Sequence, residues 1–362
     1  MSELFDHLNQ LKRNESKVAV ATLVNTRGTT PRKEGAKMLV GEDGRVLGSV
    51  TIGGCVDAQV IEESAEVLGQ NTPRLLELNL GDEEAWEIGL TCGGTIEVFV
   101  EPVTLDRTDD PTLAYFERAR THAEQGGRAV IVTRLDPPHN GAKLLLFDHG
   151  GQEGTLGDGF LDQRFAEEAR QAMAAGKSRT LFLESVRAFA EVLTPPATLV
   201  IVGASHVAMP LTTLAKTLGF RTVVIDGRPR FATKERFPDV DDLRIGVPSE
   251  LVQQVPLIPT TALVLVAHDY KYDLPVLKHA LGTPVGYIGL LGSTRRGAAI
   301  LNLLREDGVA EEALLRVRVP IGLDLGAQSA PEIALSILAE ALATHRNATG
   351  LPISEKVRRG LK

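Results

Sequence analysis

Only two cysteines stand among the 362 residues, too few for a disulfide framework, and no set of four ligands for a structural zinc is visible. Positive charge is not in excess. Lys and Arg number 39 against 47 Asp and Glu, a net charge of −8, which argues against a nucleic-acid surface. No apolar run approaches the length of a membrane span. A secretory leader is not expected either. Residues 1–16 are charged throughout and lack an apolar core; they read as an amphipathic helix capped by Ser2, with Leu4, Phe5, Leu8 and Leu11 as its stripe. Together these features lead to the expectation of a soluble cytoplasmic protein without a membrane or nucleic-acid partner. What is present is apolar content of 43%, enough for real cores, and a length that suits two ordinary domains.

The most informative stretch runs from Leu199 to Asp226. Leu199–Val202 is too short for a helix and suits a strand buried on both faces. A tight turn follows at Gly203-Ala204-Ser205-His206. Val207, Leu211, Leu214, Ala215 and Leu218 then recur at helical spacing, and Gly219 closes that helix. Thr222–Ile225 is a second strand and ends on Asp226. Strand, glycine turn, helix, strand and terminal acid form the plan of a dinucleotide-binding unit, with Asp226 at the distance from which an acid reaches a ribose hydroxyl. The fingerprint departs from the pattern at Ser205, where a side chain replaces the glycine that lets backbone approach a pyrophosphate. The structural alternative is a glycine turn in a parallel α/β domain without a nucleotide.

In the N-terminal half, Lys17–Val24 reads as a strand. The loop from Arg27 to Gly35 carries Arg27, Thr29, Thr30, Arg32 and Lys33, a set able to hold an anion or simply to form a solvated charged turn. Ala36–Val40 and Arg45–Ile52 form a hairpin. Gly53-Gly54-Cys55-Val56-Asp57 follows a strand and opens a helix. Free N–H groups and the helix dipole there stabilise a thiolate, and the two glycines keep the approach open. Cys55 thus reads as a nucleophilic, sulfur-carrying or metal-binding thiol, or as a small buried apolar residue. Cys92-Gly93-Gly94 mirrors that turn and leads into the strand Thr95–Val100.

Helices are expected over Leu113–Glu124 and Phe160–Ala175, with strands at Arg128–Thr133, Lys143–Phe147, Arg179–Leu183 and Ala188–Leu193. The glycine-rich Gly150–Gly159 reads as a mobile connection. Thr194-Pro195-Pro196 is a stiff linker and places a domain boundary after residue 195. Beyond Asp226, Arg228 and Arg230 either accept a nucleotide or pterin phosphate or pair with Asp239, Asp241 or Asp242. Ala262–Ala267 is a buried strand ending on His268-Asp269, where a doubly wound sheet presents ligand contacts and acid–base groups. Gly292-Ser293 opens a helix bearing two arginines, an arrangement suited to an anion. Ser329-Ala330-Pro331-Glu332 begins the last long helix with a capping box. The expected class is α/β: an N-terminal domain with a mixed sheet over residues 1–195, a Rossmann-like doubly wound parallel sheet over 196–346, and a frayed tail over 347–362.

In this order the motifs resemble those of the XdhC/CoxI family, accessory factors for the maturation of xanthine dehydrogenase and related molybdenum hydroxylases. In the N-terminal half the resemblance rests on Arg27-Gly28-Thr29-Thr30-Pro31, Gly35-Ala36-Lys37-Met38, Gly53-Gly54-Cys55-Val56-Asp57, and Cys92-Gly93-Gly94 leading into Glu101-Pro102. In the C-terminal half it rests on Gly203 to Ala208, Asp226-Gly227-Arg228-Pro229, His268-Asp269, Tyr287 to Ser293, Pro320 to Asp324, and Pro331 to Ile337. Two departures are Ser205 for the commoner glycine and Asp57 for a frequent glutamate. The resemblance implies a protein that binds the molybdenum cofactor, a pterin alone or in dinucleotide form, protects it during sulfuration and delivers it to a hydroxylase apoenzyme. It also implies Cys55 as the molybdenum contact or sulfur carrier, Cys92 as a second thiol, and Arg27, Thr29 and Arg32 on the pterin phosphate. A nucleotide, either NAD(P) or that of the cofactor, would meet Gly203, Ser205, His206, Asp226, Arg228, Gly292 and Ser293. A cysteine desulfurase partner and a homodimer are further expectations. The competing reading is an NAD(P)-dependent oxidoreductase with His268 as acid or base; a third is a nucleotide-sensing, partner-binding protein.

Overall fold

The structure, a computed structural model, describes residues 16–28, 30, 32–51, 55–80, 94–105, 110–267 and 270–360. The helix expected before Ser16 lies outside the described residues. The chain divides into two compact units, Met1–Pro195 and Pro196–Lys362.

The first unit contains, in order, β1 (Lys17–Gly28), β2 (Lys37–Gly41), β3 (Val46–Gly48), α1 (Cys55–Gln70), β4 (Arg74–Asn79) and β5 (Gly94–Thr104). After α2 (Pro111–Glu124) come β6 (Ala129–Arg134), β7 (Lys143–Phe147), β8 (Gln152–Gly154), α3 (Gly159–Ala175), β9 (Arg179–Leu183) and β10 (Val186–Leu193). These strands form two five-stranded sheets, ordered β3-β2-β1-β5-β4 and β8-β7-β6-β10-β9. The expected α/β class holds; the unit has two sheets, and each pairing described in them is antiparallel. Residues 150–159, read as a mobile connection, include the short strand β8.

The two sheets are one motif used twice. Three meandering strands, a helix and a hairpin occur in the same order, and the fifth strand of each returns beside the first. Backbone detail repeats as well. Gly35 N–H donates to the Leu23 carbonyl and Leu23 N–H to the Ala36 carbonyl; Gly141 donates to Arg134 and Arg134 to Ala142 in the same way. Both turn glycines have positive φ, +92° at Gly35 and +88° at Gly141, a conformation that other residues rarely adopt. Thr22 faces Lys37 in the first copy, and Thr133 faces Lys143 in the second. Each copy covers the outer face of its sheet with its own helix. Val60 and Val67 of α1 pack on Ala19, Ala21 and Val98, and Phe165 and Ala169 of α3 pack on Val130 and Val132. Between the copies, Phe116 and Ala119 of α2 share a core with Val18 and Val20 of the first sheet and Ile131 and Leu145 of the second.

Two buried ion pairs cross between the copies. Lys37 Nζ lies 2.9 Å from Glu191 Oε2 and donates to Thr22 Oγ1 at 2.9 Å. Reciprocally, Lys143 Nζ lies 2.9 Å from Glu101 Oε2 and donates to Thr133 Oγ1 at 3.0 Å. Both ammonium groups sit over the Phe116 ring, 5.0 and 5.6 Å from its centroid. Each lysine therefore has a carboxylate from the opposite copy, a hydroxyl from its own and an aromatic face shared by both. Such satisfaction is what buried charges require.

The second unit holds β11 (Thr198–Val202), α4 (Ala208–Thr217), β12 (Arg221–Asp226), β13 (Asp242–Ile245), β14 (Thr261–Leu265), α5 (Tyr270–Leu281), β15 (Tyr287–Leu290), α6 (Thr294–Glu306), β16 (Val317–Arg318), α7 (Ala330–His345) and α8 (Ile353–Arg358). Its six strands are parallel in the order β13-β12-β11-β14-β15-β16, the doubly wound arrangement expected from the sequence. β11 and β14 are buried along their whole length, which explains why they read as unbroken apolar runs. One face packs under α4 and α7 through Leu211, Ala215, Ile337 and Leu338. The other packs under α5 and α6 through Val276, Leu277, Ile300 and Leu304. α7 begins with the expected capping box between Ser329 and Glu332. Residues 347–362, read as a frayed tail, include the short helix α8.

Candidate functional site

Strand register brings together what the sequence left separate in the first unit. β1 ends at Gly28, whose partner is Gly94, the first residue of β5. β4 ends at Asn79, opposite Thr95. β3 ends at Gly48 opposite Met38, so Ser49 to Thr51 leave the sheet toward this same end. The start of α1 is tied there by Asp57, which is buried. Its carboxylate accepts from the Thr51 amide at 3.2 Å, the Thr51 hydroxyl at 2.8 Å and the Ser49 hydroxyl. One end of the first sheet thus carries Arg27 and Gly28, the helix start at Cys55, and Gly94, which follows Cys92 and Gly93 in the chain.

At this end Arg27 is exposed and Arg32 half-buried. Neither guanidinium pairs with a carboxylate among the described residues. Thr30 Oγ1 donates to the Arg32 carbonyl at 3.1 Å, bracing the loop. Cys55 enters the description as the first residue of α1. Thr29, Gly53, Gly54, Cys92, His268 and Asp269 lie outside the described residues. The second copy has the same tie without the thiol. Asp162 accepts from Leu156 N–H at 2.6 Å and the Thr155 hydroxyl at 2.8 Å. Two residues before this acid stands Phe160, where the first copy has Cys55 two residues before Asp57. At this position the duplicated frame therefore carries a cysteine in one copy and a phenylalanine in the other. Among the described residues no cluster of three His, Cys, Asp or Glu is poised to hold a metal.

In the second unit a cavity of about 220 Å³ opens at the carboxyl ends of the central strands, lined by Val202, Gly203, Asp226, Gly227, Arg228, Pro248, Ala267 and Tyr272. Gly203 has φ +108°, and a Cβ there would stand 2.6 Å from the Ala267 amide nitrogen. Its glycine is required by the close passage of β11's end against the end of β14. Among the described residues, Ser205 Oγ is buried without a hydrogen-bond partner, and α4 has no side-chain cap. His206 is exposed.

Asp226 is 3% exposed. It accepts from Ala204 N–H at 2.6 Å and from the Arg228 amide, Nε and Nη2 at 2.8, 2.9 and 2.8 Å. The sequence left Arg228 to bind phosphate or to pair with Asp239, Asp241 or Asp242. Here its partner is Asp226, while Asp241 holds Lys216 and Asp242 holds Arg244. Arg230 is exposed.

At the end of β15, Ser293 caps α6 by accepting from the Arg296 amide at 3.3 Å. Of the two arginines expected there to hold an anion, Arg296 is turned inward. It pairs with the fully buried Asp273 and donates to the Ala267 and Leu291 carbonyls at 3.3 and 3.2 Å. It thereby ties the start of α6 to α5 and to Ala267, two residues beyond the end of β14. Arg295 is exposed, and Gly292 lies against the Arg296 stem.

Residues 199–341 match the XdhC Rossmann domain model, and residues 11–79 and 120–184 match the model of the XdhC and CoxI family. The chain belongs to the XdhC/CoxI family. The two N-terminal matches end with β4 and β9, the fourth strands of the two copies. A curated relative, named as a probable xanthine dehydrogenase subunit of Bacillus subtilis, is 27% identical over 96% of this chain and 98% of its own. The molybdenum cofactor insertion chaperone PaoD of Escherichia coli is 29% identical over 89% of this chain and 81% of its own. A crystal structure of a xanthine dehydrogenase from Bacillus halodurans is similar with a TM-score of 0.75 and 27% identity, covering 94% of this chain and 95% of that one. Among the described residues no helix is long and apolar enough to cross a membrane.

Sequence reasoning missed the duplication and its crossed ion pairs. The signal was present: Gly35-Ala36-Lys37-Met38-Leu39-Val40 and Gly141-Ala142-Lys143-Leu144-Leu145-Leu146 are near-copies. It also missed that Asp226 bonds Arg228.

A pH dependence follows from Asp226. Burial pushes its carboxyl up, but hydrogen bonds from the Arg228 guanidinium and from the Ala204 and Arg228 amides outweigh this and hold it below the usual carboxylate range. A carboxylate with a lowered folded-state pKa stabilises the fold above its unfolded value, about 3.9, and loses that contribution as pH falls through the folded value. Asp226→Asn is therefore expected to be less stable than wild type at pH 7, with the gap closing at acid pH. Urea midpoints of both proteins at neutral pH and near pH 3 check this.

Proposed function

We propose that this protein takes the molybdenum cofactor as cargo, holds it while its terminal sulfido ligand is installed, and inserts it into a xanthine dehydrogenase-type molybdenum hydroxylase. The observation that carries this reading is the convergence at one end of the first sheet. The helix start bearing Cys55, held by Asp57, shares that end with Arg27 at the close of β1 and Arg32 in the loop after it, both without carboxylate partners among the described residues. A thiol at a helix N-terminus is activated by the free amides and the dipole, as a soft ligand for molybdenum or a sulfur carrier needs. Arg27, Thr29 and Arg32 supply the charge-assisted donors that a pterin phosphate requires, and Cys92 is the second thiol. The insertion role named for the relative PaoD agrees with this chemistry.

In this reading a cysteine desulfurase supplies sulfur, and the working form is a homodimer. The cavity of the second unit takes a nucleotide, with Gly203, Ser205, His206, Asp226 and Arg228 on one side of the sheet's switch point. By the sequence reading, His268, Asp269, Gly292 and Ser293 are further contacts for that nucleotide. No specific observation favours the oxidoreductase alternative, because a fold of this kind does not by itself imply hydride transfer.

The test is maturation of a molybdenum hydroxylase apoenzyme with purified cofactor, with and without this protein. Faster or fuller gain of hydroxylase activity with the protein is expected; no difference in a sulfur-supplied assay contradicts the proposal.

A further inference from the structure

We infer that the cavity of the second unit selects a nucleotide whose ribose carries a 2′-phosphate, an NADP(H)-type ligand, over one with a free diol, and that Arg228 makes the selection. This rests on the reading of that cavity as a nucleotide site.

An acid at the end of the second strand recognises a ribose diol by accepting hydrogen bonds from its hydroxyls. It needs vacant lone pairs for this. An ionised carboxylate offers about four acceptor positions, and those of Asp226 are taken. Oδ1 receives the Arg228 amide and Nε, and Oδ2 receives Ala204 N–H and Arg228 Nη2. The contacts are 2.6 to 2.9 Å long, and the acid is almost fully buried. A diol entering here finds no ready acceptor, and a buried hydroxyl left without one is costly.

The group offered to the ligand instead is the cation. The Arg228 side chain is 54% exposed and lines the cavity. Its Cζ lies over the Phe231 ring, 4.3 Å from the centroid, a cation–π contact that together with the bonds to Asp226 holds the guanidinium in place. The Phe231 segment is itself anchored, because Arg236 donates to the Phe231 and Ala204 carbonyls at 2.7 and 3.0 Å. The turn below β11, the acid and the arginine-bearing loop thus form one hydrogen-bonded unit. Arg230, exposed two residues further on, adds a second positive charge. The carboxylate that would repel a phosphate at this position is already balanced by its bond to Arg228. A planar guanidinium held in place at the cavity wall is the recognition element for a phosphomonoester.

Isothermal titration of the full-length protein with NADP+ and NAD+, and with 2′,5′-ADP and ADP as shorter probes, tests the inference. NADP+ and 2′,5′-ADP are expected to bind at least about tenfold more tightly than their unphosphorylated counterparts, a difference of about 1.4 kcal/mol. Arg228→Gln is expected to erase the preference by weakening NADP+ while leaving NAD+ unchanged or tighter, since Asp226 is then released. Equal or tighter binding of NAD+ to the wild type overturns the inference but leaves the nucleotide site standing. A preference that survives Arg228→Gln overturns the role of Arg228. Absence of binding by all four probes overturns both the inference and the nucleotide reading beneath it. The decisive comparison uses the wild-type protein, so it does not depend on how the variant folds.

Discussion

Cys55→Ala is expected to reduce hydroxylase maturation by an order of magnitude or more while leaving the fold intact. The expectation follows from position. Cys55 opens a helix of 16 residues whose start is tied to the end of the first sheet through Asp57, Thr51 and Ser49. A helix start favours the thiolate by exposing amides and the positive end of the dipole. Removing the sulfur removes the soft ligand without disturbing that tie. Cys55→Ser separates chemistry from shape, because a hydroxyl of nearly the same size stays protonated at neutral pH and should also fail. Cys92→Ala should do less harm than Cys55→Ala. The readout is turnover of the client hydroxylase after maturation in vitro. Full maturation with Cys55→Ala would remove the thiol from the account. The second copy offers an internal control. Phe160→Cys places a thiol at the corresponding helix start without the arginine-bearing loop, and it should not restore maturation to the Cys55→Ala protein.

The largest effect on stability is expected at the crossed ion pairs. Lys143→Met leaves Glu101 buried without its partner; the two side chains are 2% and 5% exposed. Breaking a buried pair from one side costs about 3–5 kcal/mol, against a total stability of about 5–15 kcal/mol for an ordinary domain. Glu101→Gln should cost less than Lys143→Met, since a neutral amide still accepts from the lysine. The double variant Lys143→Met with Glu101→Leu should recover most of the loss, because an apolar pair of similar volume avoids desolvation. Lys37→Met should be somewhat milder, as that pair is 8% exposed on both sides. Urea denaturation measures all four. A loss under about 1 kcal/mol for Lys143→Met, the range of an exposed pair, would mean that the pair does not fasten the copies together.

The parallel sheet of the second unit was readable because its strands are buried on both faces. Leu199–Val202 and Ala262–Leu265 appear as unbroken apolar runs between turns. β16 has two residues and no pattern to read. In the first unit, β4 escaped because it is a half-buried edge strand with Glu77 and Asn79 exposed. β8 escaped because its three residues are polar or glycine. The duplication was obscured by unequal elements. β1 has 12 residues and β6 has six, and the equivalently bonded residues Leu23 and Arg134 stand 12 and 7 positions before Gly35 and Gly141, so the repeat has no constant spacing.

The candidate site was partly legible. Thiol, glycines and cations can be picked out by residue type, but only strand register shows that Gly28 stands opposite Gly94. Side-chain direction was not legible at all. Arg295 and Arg296 look alike in the sequence, yet one is exposed and the other is bound to the buried Asp273. Asp226 has the right spacing for a ribose, and spacing does not reveal that an arginine two residues later occupies it.

The most direct test of the central claim is an anaerobic titration of the full-length protein with isolated molybdenum cofactor, followed by the cofactor's own absorbance and fluorescence. Wild type is expected to bind it stoichiometrically and tightly, and Cys55→Ala to bind it at least about tenfold more weakly, a loss of about 1.4 kcal/mol. Equal binding by the two proteins, or none by wild type, would contradict the account.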